Sequence, residues 1–109
     1  MKYERVIVAF QPHTYTRTKA LFNDFVRELK RPDLVFLAEI YAAREKNTIG
    51  ISSSELAEKI PNAVFCPTFE DIEQRLRETA KSGDIILTVG AGNIYLVGEH
   101  LAKDAVKAG

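Results

Sequence analysis

Between Phe10 and Thr18 the chain reads FQPHTYTRT, which gathers an imidazole, a phenol, a guanidinium and three hydroxyls into nine residues. A guanidinium binds a carboxylate through two parallel N–H donors. An imidazole donates or accepts a hydrogen bond near neutral pH, which suits orienting a ligand. A loop of such donors between a strand and a helix is where α/β proteins bind ligands, so this loop is the expected functional site. Tyr41 and Glu45 lie on the exit of a second strand, near enough to line the same crevice. The turn Gly90-Ala91-Gly92-Asn93 could present backbone N–H groups to an anion or nucleotide.

Each of these groups also has an ordinary structural use. His13 and Arg17 could cap a helix or pair with a neighbouring acid. Tyr15 reads as a packing residue with a tethered hydroxyl. Thr16 and Thr18 are most simply helix N-caps. Glu45 could pair with Arg44 or Lys46 at the surface, where such pairs contribute little. Gly90 and Gly92 could serve only a tight strand-to-helix turn. Cys66 has no histidine near it in sequence and reads as a small core residue. His100 sits among polar neighbours and reads as solvated.

The elements that must position these groups follow from periodicity. Val6 to Phe10 is a short apolar, β-branched run and reads as a buried strand that Gln11-Pro12 ends, because proline gives a ladder no donor. Leu21, Phe22, Phe25, Val26 and Leu29 fall on one helical face, closed by Lys30-Arg31-Pro32. Leu34 to Leu37 is a second buried strand. Ser52 with Glu55 makes a capping box for a short helix carrying Leu56 and Ile60. Ala63 to Cys66 is a third strand, and Thr68 is the N-cap of a helix that turns Phe69, Ile72 and Leu76 inward and stops at Ser82-Gly83. Ile85 to Val89 is a fourth strand, leading to a last helix with Ile94, Val97, Leu101 and Ala105 on its buried face.

Four βα units with nearly continuous apolar strands predict a Rossmann-like three-layer α/β/α fold around a four-stranded parallel sheet. Ligands bind such sheets where the strand order reverses, and the order 4-1-2-3 brings the two special strand ends together. It also leaves the edge of the fourth strand uncovered, which would let two copies of the chain pair there and suggests that covering chain is missing.

Composition narrows the function classes. The 109 residues read as one domain, 1–109, with 15 acidic and 15 basic side chains, so neither a nucleic-acid nor a polyanion partner is implied. A single cysteine excludes an internal disulfide and fits a reducing compartment. No membrane span or signal peptide is legible, so the chain reads as soluble and cytoplasmic.

Three blocks in order, FQPHTYTRT at 10–18, EIYAAREKNTIGISSSEL at 39–56 and GDIILTVGAGNI at 83–94, resemble the C-terminal domain of the Mur ligases. The resemblance spans nearly the whole chain, and FQPH-x-Y-T-R is its most specific part. It implies the amino-acid-binding domain of a three-domain, ATP- and magnesium-dependent ligase of peptidoglycan synthesis, within the branch that joins L-alanine to UDP-N-acetylmuramate. His13 and Arg17 match motif positions that face the amino acid. The chain departs from the family where arginine is common at Thr14, which either removes one carboxylate contact or hands it to Arg17 and the Thr14 hydroxyl, and where aspartate is common at Asn93, which puts a charged role there in doubt.

The sequence contains no G-x-x-x-x-G-K-[ST], so ATP and magnesium are expected on other domains and the isolated chain is expected to be inactive. The resemblance also implies a truncated domain, lacking an opening strand and helix whose place would be beside the fourth strand. A different class of function, a free-standing flavodoxin-like module binding a small anion or nucleotide, rests on the same two loops.

Overall fold

Alternation of β-branched strands with amphipathic helices produces eight elements in the computed structural model, which describes residues 5–46, 50–81 and 84–90. They are β1 (Arg5–Phe10), α1 (Tyr15–Ala20), α2 (Phe22–Glu28), β2 (Leu34–Leu37), α3 (Ser53–Glu58), β3 (Ala63–Phe65), α4 (Phe69–Thr79) and β4 (Asp84–Val89). The strands form one parallel sheet in the order β3-β2-β1-β4, the expected order read from its other edge.

Register divides the side chains between two faces. Val8 pairs with Val35, and Phe10 with Leu37. These four residues meet Leu56 and Ile60, with Phe22, Phe25, Val26 and Leu29 packed on them, so α2 and α3 cover this face. Ile7, Ala9, Phe36 and Ala38 point the other way, onto Ile72 and Leu76 of α4. Burying each such leucine or isoleucine stabilises the fold by about 1.5–3 kcal/mol. The crossovers from β1 to β2 and from β2 to β3 run on one face, and the return from β3 to β4 runs on the other. Between β1 and β4 the direction of winding therefore reverses, and a crevice opens there at the carboxyl ends of the strands.

Ser52 and Thr68 are the N-caps of α3 and α4 as expected, but among the described residues only one of the two bonds of the capping box expected at Ser52 and Glu55 forms. Ser52 Oγ accepts from Glu55 N (3.2 Å) at the start of α3. At α4, Thr68 Oγ1 accepts from Asp71 N (3.1 Å), while Asp71 Oδ2 accepts from Thr68 N (3.4 Å), a complete capping box. Cys66 is 1% exposed and free, as a small core residue should be, and burial pushes its thiol up from the ordinary value.

Two expectations change. The apolar face predicted over Leu21–Leu29 is not one straight helix, because the helix bends at Leu21 (φ −103°, ψ 11°). The backbone bonds continue through the bend, with Leu21 N donating to Arg17 O and Phe25 N to Leu21 O, both at 2.9 Å. Its cause is Thr18, whose hydroxyl donates back to Thr14 O at 2.7 Å, a side-chain bond known to bend helices. Leu21 is consequently 37% exposed instead of joining the core. The second change concerns caps. Thr14, not Thr16 or Thr18, is the N-cap of α1, its Oγ1 accepting from Arg17 N at 3.2 Å. The predicted stop at Ser82-Gly83 and the predicted last helix lie outside the described residues, as does His100; α4 itself ends at Thr79.

At the amino end of the sheet, Arg5 and Asp84 fasten β1 to β4. Arg5 donates to both Asp84 oxygens (Nε at 3.2 Å, Nη2 at 2.7 Å) and to Thr79 O (2.8 Å). These bonds, with a further one from Lys81 N, hold the Asp84 carboxyl below its ordinary range. This clamp is at the opposite end of the strands from the crevice.

Candidate functional site

The loop after β1 is fixed on both sides by main-chain bonds. Gln11 N donates to Val89 O (3.0 Å), which ties the loop to the end of β4. Tyr41 N donates to Pro12 O (2.9 Å) and Thr14 N to Tyr41 O (2.8 Å), which ties it to the exit of β2. Pro12 is fully buried, so its ring anchors the turn. His13 and Tyr41 face each other across this bridge with rings stacked, centroids 5.6 Å apart and planes 14° apart.

Glu45 closes the third side. Its Oε1 accepts from Tyr15 N (2.7 Å) and Thr16 N (3.1 Å), and its Oε2 accepts from the Thr16 hydroxyl (2.7 Å). The Thr16 hydroxyl bond first, then the two backbone N–H groups and the nearby His13, hold this carboxyl below the ordinary 4.5 despite partial burial. The surface pairing with Arg44 or Lys46 is not what Glu45 does here.

Beside this junction is an open groove of about 390 Å³ lined by Phe10, Gln11, His13, Arg17, Leu21, Phe25, Val89 and Gly90. Its floor is apolar, and His13 and Arg17 supply the polar rim. Arg17 is exposed, and its guanidinium has no carboxylate partner among the described residues. A cation free at the rim of an apolar groove is suited to a small ligand bearing a carboxylate or phosphate.

The structure thus brings together His13, Thr14, Arg17, Tyr41, Glu45 and Gly90; Ala91, Gly92 and Asn93 lie outside the described residues. Sequence reading missed Gln11, whose Nε2 donates to Glu39 O (3.1 Å) while its Oε1 is buried with no partner among the described residues. Its place in FQPH was the available signal. It also missed Leu21 and Phe25 as groove walls, because both fit a core-facing periodicity.

A larger cavity of about 490 Å³ lies along β3 and α4, lined by Phe65, Cys66, Pro67, Asp71, Gln74, Arg75 and Glu78. Size does not make it the site. Asp71 is engaged in the α4 cap and Gln74 donates to Glu78 (3.1 Å), so three of its polar side chains are already used within α4. Among the described residues no cluster of histidine, cysteine and carboxylate side chains could hold a metal ion. No helix among them is long and apolar enough to cross a membrane.

Fold and site together define a doubly wound parallel α/β unit with an open groove at its topological switch point. No family model matches the chain. The chain is, however, similar to curated UDP-N-acetylmuramate–L-alanine ligases. It is 51% identical over 105 residues to the ligase of Agathobacter rectalis and 53% identical over 105 residues to that of Lachnospira eligens. Against the ligase of Acetivibrio thermocellus it is 48% identical over 106 residues. These matches cover 93–94% of this chain but 23% of each ligase, so the chain spans about a quarter of the length of its relatives. The resemblance carried by FQPHTYTRT and its companion blocks is borne out on that scale.

Proposed function

We propose that this chain is the C-terminal, amino-acid-positioning domain of a cytoplasmic ATP-dependent ligase that joins L-alanine to UDP-N-acetylmuramate in peptidoglycan precursor synthesis. The observation that carries the reading is the Arg17 guanidinium, without a carboxylate partner among the described residues, beside His13 at the switch-point groove of a chain half identical to part of such ligases. In this reading Arg17 takes the alanine carboxylate through two N–H donors. His13, held flat against Tyr41, orients the amino acid by a hydrogen bond, and Gly90 borders the same groove. The backbone bonds around Pro12 and Tyr41 keep these donors in place before the ligand arrives, which reduces the ordering lost on binding.

ATP and magnesium do not fit the residues present. The sequence has no phosphate-cradling P-loop, and the described residues offer no metal-binding cluster. Activation of the UDP-N-acetylmuramate carboxyl therefore belongs to other parts of the ligase, and the isolated chain performs no ligation. The test is a graft in which this chain replaces the matching 105 residues of the Agathobacter rectalis ligase. ATP-dependent ligation of L-alanine is expected from the graft, with a raised KM for L-alanine in Arg17→Ala. An inactive but folded graft, or a wild-type KM in Arg17→Ala, overturns the proposal.

A further inference from the structure

Among the described residues, three that are not glycine adopt a left-handed φ: Thr14 (62°), Ala43 (49°) and Arg44 (75°). All three lie at the single junction between the loop after β1 and the loop after β2. Non-glycine residues stay in such conformations only where their surroundings over-determine them, and they concentrate at ligand clamps and active sites. The over-determining group here is Glu45. The consecutive left-handed residues Ala43 and Arg44 make a tight reversal, closed by Glu45 N donating to Ala42 O (3.0 Å). That reversal returns the Glu45 carboxylate to the start of α1, where both its oxygens are used by Tyr15 and Thr16. The carboxylate therefore has little capacity left for a ligand's ammonium group.

We propose that Glu45 is a positioning residue: by locking the first turn of α1 to the exit of β2, it sets the direction in which Arg17 and His13 address the amino acid. Two connections transmit the effect. Arg17 directly follows Thr16, on the turn that Glu45 holds, and its own N–H is bonded to Thr14 Oγ1. His13 is stacked on Tyr41, four residues before Glu45 in the same loop. With Glu45 engaged, strand exit, loop and helix start are joined in one closed circuit of hydrogen bonds. Without it, the links between the two loops among the described residues are the main-chain bonds of Tyr41, the bond from Gln11 Nε2 to Glu39 O and the stack of His13 on Tyr41, none of which holds the first turn of α1 at Tyr15 and Thr16.

The inference rests on the reading of the groove as the L-alanine site, and the experiment separates the two. In the grafted ligase, Glu45→Gln removes the charge and the acceptor for the Thr16 hydroxyl, and Thr16→Val removes that hydroxyl while leaving the charge. Both are expected to raise the KM for L-alanine about tenfold or more with kcat within about twofold, the pattern of lost ground-state positioning. Thr16→Ser, which restores the hydroxyl, should recover the wild-type KM. Thr16→Val carries the test if Glu45→Gln fails to fold. A raised KM in Arg17→Ala with wild-type KM in both Glu45→Gln and Thr16→Val overturns the positioning role alone. A wild-type KM in Arg17→Ala overturns the reading of the site and this inference with it.

Discussion

Thr14 places a β-branched residue at φ 62° and ψ 149°, a region that is almost the preserve of glycine. Strain of this kind amounts to about 1–3 kcal/mol. Opposing it, the Thr14 hydroxyl caps α1, and losing such a cap to alanine costs about 1 kcal/mol, though to glycine only a few tenths. Glycine also carries an unfolded-state penalty of about 0.4–1 kcal/mol. Together these place Thr14→Gly about 1 kcal/mol above the wild type, because released strain exceeds the two losses. Thr14→Ala keeps its Cβ, and so the strain, and falls about 1 kcal/mol below. The gap between the variants is about 2 kcal/mol, or about 1 M in urea midpoint for a small protein with an m-value near 2 kcal/mol/M. Urea unfolding of the chain, followed by circular dichroism, reads it directly. A glycine variant less stable than the alanine variant would refute the reasoning, since it would mean that Thr14 is not strained. Binding should move the other way: in the grafted ligase Thr14→Gly loosens the loop between His13 and Arg17 and raises the KM for L-alanine while stability increases.

Further outcomes follow from the same contacts. Leu56→Ala and Ile72→Ala, both at residues with no exposure, should each destabilise the chain by about 2–5 kcal/mol, whereas Leu21→Ala, at the bend, should cost under about 1 kcal/mol. Thr68→Ala breaks the complete capping box of α4 and should lower stability by about 1 kcal/mol in the same urea assay. Asn62 donates through Nδ2 to Leu29 O (3.1 Å) and Pro32 O (2.7 Å); Asn62→Ala leaves two carbonyls unpaired and should cost about 1–3 kcal/mol. Glu45 and Asp84 both have carboxyls held below their ordinary 4.5 and 3.8, so they stabilise the fold above those values and the contribution is lost as pH falls through the lower folded values. The urea midpoint should therefore drop between about pH 5 and pH 3, and Glu45→Gln should show a shallower drop than the wild type, converging with it in acid. Parallel pH curves for the two proteins would exclude Glu45 as one of the groups responsible.

The sheet was legible because its strands are nearly continuous apolar runs, the central β1 and β2 being buried on both faces, and because two polar strand ends had to meet at a reversal of strand order. The N-caps of α3 and α4 were equally legible, since Ser52 stands three residues before Glu55 and Thr68 follows Pro67 just ahead of an amphipathic helix. At α1 that signal failed. Thr14, Thr16 and Thr18 are three hydroxyls in alternation, and only the folded chain decides that one caps the helix, one donates to Glu45 and one bends the helix from within. Leu21 was misread for a related reason: periodicity assumes a straight helix, and the Thr18 back-bond that rotates it outward is tertiary in effect but local in cause. Glu45 was selected for its place beside the crevice. What it does depends on two left-handed residues, Ala43 and Arg44, that no propensity would predict.

The position of that carboxylate also bears on what the crevice recognises. Free N–H groups at the start of a helix after a strand ordinarily attract an anion. Here Tyr15 N and Thr16 N already bond Glu45, and Arg17 N bonds Thr14, so the first turn of α1 is neutralised from within the chain. An incoming carboxylate is left with side chains rather than main chain at this turn, and among the described residues Arg17 is a cation at the groove rim without a carboxylate partner. Substituting Arg17 by lysine is therefore a sharper probe than removing it. Lysine keeps the charge but not the planar fork, so a site that merely attracts anions tolerates Arg17→Lys, while one that grips a carboxylate through two parallel bonds does not. In the grafted ligase the second result is expected, with KM for L-alanine in Arg17→Lys closer to that of Arg17→Ala than to wild type; equality with the wild type would show that charge alone suffices.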